Sequence, residues 1–208
     1  METSQHRDPR QHTDEVSLHG GGRPGPVLRW NPKTRERSVD QLLWGLLPHD
    51  TEDPANAPRP IIARAETVAT NPTFASAFRD RRAIVPISVY YQRRSVGGSN
   101  GLFAISRRDG EMMGVAGLWE AIRWPAGEIT RTYCIITTEP NELPAPIHDR
   151  MAVVLEKVDW PVWLGEQPGD PALLLRPPPP DVLQCRPARE REARLQRLFC
   201  SQQVETPD

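Results

Sequence analysis

The sequence predicts an α+β domain, mostly antiparallel β-sheet or open barrel with short helices. Three observations predict it. Short apolar runs alternate with Gly-containing turns through the middle of the chain. A single compact helix signal interrupts them. The 23 prolines of the 208 residues gather largely toward the ends and the loops, which favours one folded domain with Pro-rich flanks. This chain length is sufficient for one sizeable core.

The elements follow in order. Residues 1–26 are polar and rich in Gly, Pro, His and Arg, and read as disordered. Residues 39–47 form an apolar run that reads as a strand ending at Pro48, and residues 50–60 form a polar, Pro-containing loop. Asn71-Pro72 opens a helix through Arg79, because asparagine caps free amides and proline suits the first helical position. Phe74 and Phe78 share one face of it. Strands are expected at 83–91, 102–107, 113–118, 132–138 and 151–155, with turns between them at Gly-Gly-Ser-Asn-Gly, Arg-Asp-Gly and Pro-Ala-Gly. Residues 156–164 read as a short helix that Pro161 forces to begin late. Pro177 to Pro180 form a stiff spacer, and 187–199 an Arg- and Glu-laced amphipathic helix. The expected division is therefore a segment 1–26, a domain 27–176 and a tail 177–208.

Composition narrows the function classes. No apolar run is long enough for a membrane span, and the N-terminus has no secretory pattern, so a cytoplasmic protein is expected. Only Lys33 and Lys157 among the 26 basic residues are lysines. Arginine's planar fork suits phosphate oxygens, and a GC-rich codon bias would give the same count. Cys134, Cys185 and Cys200 lack metal or disulfide spacing, and Cys134 reads as a small core residue in an apolar strand. His148 has no second ligand at usable spacing, so no metal or organic cofactor is implied.

Eight short motifs stand in order along the chain. They are Asn-Pro-Lys-Thr at 31–34, Leu-Leu-Trp-Gly-Leu-Leu-Pro at 42–48, Ala-Arg-Ala-Glu-Thr-Val at 63–68, Phe-Arg-Asp-Arg-Arg at 78–82, Ile-Val-Pro at 84–86, Ala-Gly-Leu-Trp-Glu at 116–120, Thr-Thr-Glu-Pro-Asn at 137–141 and Ile-His-Asp-Arg-Met at 147–151. By these residues the chain resembles the SOS response-associated peptidase family from about Val27 to Leu175. The resemblance implies sensing of abasic sites in single-stranded DNA. In that family an N-terminal cysteine condenses with the ring-opened sugar, and an asparagine, a glutamate and a histidine assist.

Carried over residue by residue, the resemblance places the histidine at His148 and phosphate-contacting arginines at Arg64 and Arg150. An ion pair of Arg150 with Glu66 or Asp149 is the competing reading. Trp44 joins the DNA-contacting set, although its apolar context reads as core. Four positions depart from the pattern. Residue 2 is Glu2, and no cysteine precedes Cys134. Ile62 stands at the asparagine position and cannot hydrogen-bond through its side chain. Gln92 stands at the glutamate position, keeping its shape without its proton chemistry. Asp50 stands where an aromatic wedge is expected. The expected protein is a monomer that partners single-stranded DNA, abasic-site DNA in particular, with weak or lost covalent and peptidase-like activity. A non-catalytic DNA-binding module and a decaying pseudoenzyme are the alternatives, which leaves enzymatic status open.

Overall fold

The structure is a computed structural model, and it describes residues 15–17, 22–94, 101–124 and 126–193. Its strands are β1 (Glu15–Ser17), β2 (Pro24–Asn31), β3 (Glu36–Trp44), β4 (Ile62–Arg64), β5 (Arg82–Ile87), β6 (Val89–Arg93), β7 (Leu102–Arg107), β8 (Met113–Arg123), β9 (Ile129–Thr138), β10 (Met151–Ala152), β11 (Val154–Leu155) and β12 (Leu183–Pro187). The helices are α1 (Pro72–Asp80) and α2 (Trp160–Leu164), with short 3-10 turns at Lys157–Asp159 and Pro171–Leu174.

The fold is α+β and mostly antiparallel, as expected. Strands β9, β3, β2, β5 and β8 pair in sequence, and β8 pairs back with β9, so five strands close a barrel-like ring. A smaller sheet of order β1-β6-β7-β12 lies beside it. Among the described residues parallel pairing is confined to β1 with β6, β3 with β9 and β4 with β9.

Both faces of β5, β8 and the second half of β9 are covered, which explains their near-continuous apolar runs, whereas β3 is exposed over most of its length. Ala83, Val85 and Ile87, with Met113, Val115, Tyr133 and Ile135, pack into one cluster shared with Tyr90, Ile105 and Leu183 of the small sheet. Residues of the opposite parity, Ile84, Ala116, Leu118, Cys134 and Ile136, pack into a second cluster under the helices. The helices contribute Phe74, Ala77 and Phe78 from α1, and Trp163 and Leu164 from α2. Cys134 is fully buried, as expected, and burial pushes its thiol pKa up.

Helix α1 begins as the sequence predicts. Asn71 Oδ1 accepts from Thr73 N–H at 2.9 Å, and Pro72 occupies the first turn. Helix α2 likewise starts with Trp160-Pro161 and ends at Gly165 in the left-handed region, with φ 80°. The indole N–H of Trp163 donates to Ala83 O at 2.7 Å, tying α2 to β5.

Other elements differ from the sequence reading. The run expected as one strand over 83–91 breaks at Ser88 into β5 of the ring and β6 of the small sheet. The run expected over 151–155 splits into two bridges, β10 on β9 and β11 on β8. Strand β3 starts and ends three residues before the expected 39–47 run. Its hairpin with β2 turns at residues 32–35, where Asn31 Oδ1 accepts from Lys33 N–H at 3.0 Å and Arg35 takes a φ of 58°. Within the segment expected to be disordered, 1–26, strand β1 pairs Val16 with Tyr90 and β2 begins at Pro24. An edge of an existing sheet supplies that order, and local composition cannot report it. After the proline spacer the chain returns to the small sheet as β12, paired antiparallel with β7. Residues 190–193 are helical, and the remainder of the 187–199 helix lies outside the described residues.

Candidate functional site

Of the carried-over positions, Arg64, Gln92, His148 and Arg150 converge on one end of β9. Strand β4 runs parallel to it, pairing Ile62 with Ile135 and Arg64 with Thr137. Strand β10 flanks its other side, pairing Ala152 with Thr137 and Met151 with Thr138. Thr137 therefore stands between the Arg64 strand and the strand that follows Arg150.

The turn preceding β10 sets His148 in place. Ala145 N–H donates to Asn141 O at 3.2 Å, and the amides of Ile147 and His148 both donate to Pro144 O, at 2.8 and 3.0 Å. His148 Nδ1 then accepts from Arg150 N–H at 3.0 Å. The same nitrogen lies 3.0 Å from Asp149 Oδ1. One nitrogen cannot serve both neighbours: without a proton it accepts from the amide, and with one it donates to the carboxylate. In the first state the proton sits on Nε2, on a side chain about 30% exposed. His148 thus keeps a nitrogen available to a ligand.

Gln92 lies on β6 and is buried, at 4% exposure. Its Nε2 donates to Arg150 O at 2.8 Å. Its Oε1 has no hydrogen-bond partner among the described residues. The backbone of Arg150 is thus gripped from both sides, its amide by His148 and its carbonyl by Gln92. A glutamate at this position could offer the carbonyl a hydrogen bond only while protonated.

The Arg150 side chain is equally committed. Nη1 and Nη2 donate to the two oxygens of Glu66 at 2.8 and 2.9 Å. Nη2 also donates to Thr137 O at 2.6 Å, and Nε lies 3.4 Å from Thr137 Oγ1. Of the readings the sequence left open for Arg150, the ion pair with Glu66 describes the guanidinium in this structure. The hydrogen bond from Arg150 holds the Glu66 carboxyl below the ordinary carboxylate range. Arg64 is exposed, and its guanidinium makes no hydrogen bond among the described residues, so it is the cation presented to solvent here.

Trp44 is a correction to the DNA-contacting set. It is buried at 4% exposure, its Nε1 donates to Ile61 O at 3.0 Å, and its ring stacks on Tyr133 with centroids 6.3 Å apart. An indole buried to this extent presents no open face to a nucleobase. Ile62 is half-buried and packs against the same core cluster, contributing no polar atom to the site. Asp50 is exposed in the loop after β3.

Two participants were visible in the motifs without being assigned a part in the site. Thr137, the first residue of Thr-Thr-Glu-Pro-Asn, anchors Arg150 by carbonyl and hydroxyl. Glu66, inside Ala-Arg-Ala-Glu-Thr, holds the outer N–H groups of Arg150. Among the described residues no group of three or more His, Cys, Asp or Glu side chains could hold a metal ion, and no helix is long and apolar enough to cross a membrane.

The shifted carboxylates fix the expected acid response. Arg150 holds Glu66 low, and Arg107 and Arg186 hold Asp109 and Glu192 down to about 2 each. A carboxylate depressed on folding contributes stability above its unfolded pKa of about 4, and loses it as pH falls through the folded value. The melting temperature should therefore fall between about pH 4 and about pH 2, and more shallowly in Glu66→Gln. Calorimetry across that range checks both slopes.

Known proteins resemble this chain in sequence and in fold. A family model described as SOS response associated peptidase (SRAP) matches residues 8–191. Abasic site processing protein YoqW of Bacillus subtilis (strain 168) is 34% identical over 137 residues, covering 65% of this chain and 61% of that protein. Abasic site processing protein YMR114C of Saccharomyces cerevisiae is 31% identical over 140 residues, covering 65% of this chain and 36% of its own. The chain thus matches less than two thirds of the length of these curated relatives. A crystal structure of a Bacteroides thetaiotaomicron protein superposes with a TM-score of 0.73 at 26% identity, covering 81% of this chain and 75% of that one. A Bordetella bronchiseptica protein gives 0.70 at 26% identity, covering 80% and 84%. By its motifs, its five-stranded ring and the match over residues 8–191, the chain belongs to the SOS response-associated peptidase family.

Proposed function

We propose that the chain engages single-stranded DNA at abasic sites in the cytoplasm or on the nucleoid, as a monomer, and that its covalent activity is weak or absent. The observation that carries this is the gathering of Arg64, His148 and Arg150 around Thr137, with Gln92 built into the same cluster. Arginines beside an exposed histidine nitrogen suit a phosphate next to a polar sugar. The names of the curated relatives support an abasic site as the feature recognised.

The doubt about covalent chemistry comes from the residues that would move protons. Gln92 donates its amide to the Arg150 carbonyl and cannot take up a proton near neutral pH. Ile62 offers no hydrogen bond at the position where the family uses asparagine. His148 alone retains acid–base capacity. A non-catalytic single-stranded-DNA-binding module is therefore the second reading, favoured by these same two positions.

The deciding experiment is incubation with single-stranded DNA carrying one abasic site, followed by a denaturing gel beside undamaged DNA. Little or no covalent band is expected, while native-gel binding persists and weakens steeply with salt. A strong band specific to the damaged strand would overturn the reading of weak or absent covalent activity. A salt slope near zero would remove DNA binding altogether.

A further inference from the structure

Glu66 is a more particular neighbour of the site than a surface carboxylate usually is. Its two oxygens fill the outer fork of Arg150, at 2.8 and 2.9 Å, in the bidentate arrangement that a phosphate would adopt. The two partners are not equally fixed. The Arg150 side chain is about 18% exposed and is held from behind by the Thr137 carbonyl and hydroxyl. The Arg150 backbone is held by His148 and Gln92. Glu66 is about 41% exposed, its carboxylate bonds to Arg150 and otherwise to its own backbone N–H, and it lies in the turn of residues 65–70 that follows β4. Removing the carboxylate would leave the guanidinium standing, with its outer N–H groups unpaired and directed toward the side from which Glu66 came.

Building on the proposed phosphate role of Arg64 and Arg150, we infer that Glu66 is a resident anion that occupies the phosphate seat on Arg150 and must be displaced when a DNA phosphate binds there. Arg64, one of the groups whose charge acts on Glu66, is the cation free to meet the strand first. The incoming phosphate takes over the Arg150 fork, and the Glu66 side chain turns out into water. The exchange swaps one bidentate anion for another, so it tempers affinity for any anionic polymer while leaving the seat shaped for a phosphate. No bond is made or broken beyond hydrogen bonds.

The test is fluorescence anisotropy with labelled oligothymidylate at fixed salt, on wild type, Glu66→Gln, Glu66→Ala, Arg64→Ala, Arg150→Ala and Glu139→Gln. Glu139 is an exposed carboxylate two residues past Thr137 with no hydrogen bond or ion pair to Arg150 among the described residues, and it reports the effect of lost negative charge alone. Glu66→Gln should bind about fivefold more tightly than wild type, a factor of the size expected for releasing one partly exposed ion pair. Glu139→Gln should change affinity by less than about twofold. Arg150→Ala and Arg64→Ala should each weaken binding. Equal gains from Glu66→Gln and Glu139→Gln would overturn the inference in favour of general charge. Unchanged or weaker binding by a folded Glu66→Gln, with binding still lost in Arg150→Ala, would overturn it while sparing the phosphate reading. Wild-type affinity in both arginine variants would instead remove that reading, and the inference with it. Failure of both Glu66 variants to fold would also overturn it, because an exchangeable carboxylate has to be dispensable.

Discussion

Trp163→Ala should lower stability by about 3–5 kcal/mol, the range for deleting a fully enclosed aromatic side chain. Trp163 has 0% exposure and lies tilted against Phe78, with ring centroids 6.1 Å apart. It is the point at which α2, α1 and the ring meet. The loss has two parts. The first is the cavity, which the second core cluster can close only by moving α1 or α2. The second is the Ala83 carbonyl, which gives up the indole N–H at 2.7 Å and is left buried. In a chain of this size the melting temperature should drop by about 10 °C. Thermal unfolding followed by circular dichroism measures it, and a drop of under about 3 °C would mean that α2 is held to the ring by other contacts.

Arg81→Met should be nearly as costly, at about 3–5 kcal/mol, for an electrostatic reason. Glu120 lies inside β8 at 1% exposure, and Arg81 Nη2 donates to its Oε1 at 2.8 Å. Among the described residues the other ion-pair neighbour of Glu120 is His49, its Nδ1 3.4 Å from Oε2, on a side chain about half exposed. Take Arg81 away and a carboxylate remains in the core without a full counter-charge. Breaking such a pair costs more than replacing it whole. The double variant Arg81→Met, Glu120→Met should therefore be less destabilised than Arg81→Met alone. Chemical denaturation of the three proteins settles the order. A double variant worse than the single would show that the pair contributes more than the burial of its own charge.

The legibility of this sequence depended on how local each signal was. Helix α1 could be read because its cap, its first-turn proline and its buried face all fall within 71–80. Strand β7 was expected at the residues where it occurs, 102–107, because turn residues bound it on both sides. The break at Ser88 could not be read. Both β5 and β6 are apolar, and only the partners, β8 for one and β7 for the other, distinguish them. Strands β1, β4 and β12 are 3, 3 and 5 residues long and owe their form to the edges they join. At the site, the positions came from motif order, and the structure gathers Arg64, Gln92, His148 and Arg150 around one end of β9, while Trp44 is buried and Asp50 lies in the loop after β3. What the motifs could not give was occupancy. That Arg150 already holds Glu66, or that Gln92 serves a backbone carbonyl, is decided by residues distant in sequence and by a fraction of a turn of a side chain.

The ring also has an uneven circumference. Strands β2 and β3 share eight paired positions, and β8 and β9 share seven. The seams that join the two halves are far thinner: β2 meets β5 at Leu28 and Ile84 alone, and β3 meets β9 at Leu43 and Trp44. The β2–β3 hairpin is thus a stave held by its neighbours at only a few rungs. It is fastened chiefly by the side chains of Val27, Leu42 and Trp44 buried beneath it. Cooperativity around this barrel is carried by packing more than by the hydrogen-bond ladder, so the hairpin is the natural first segment to lift away when the ring opens.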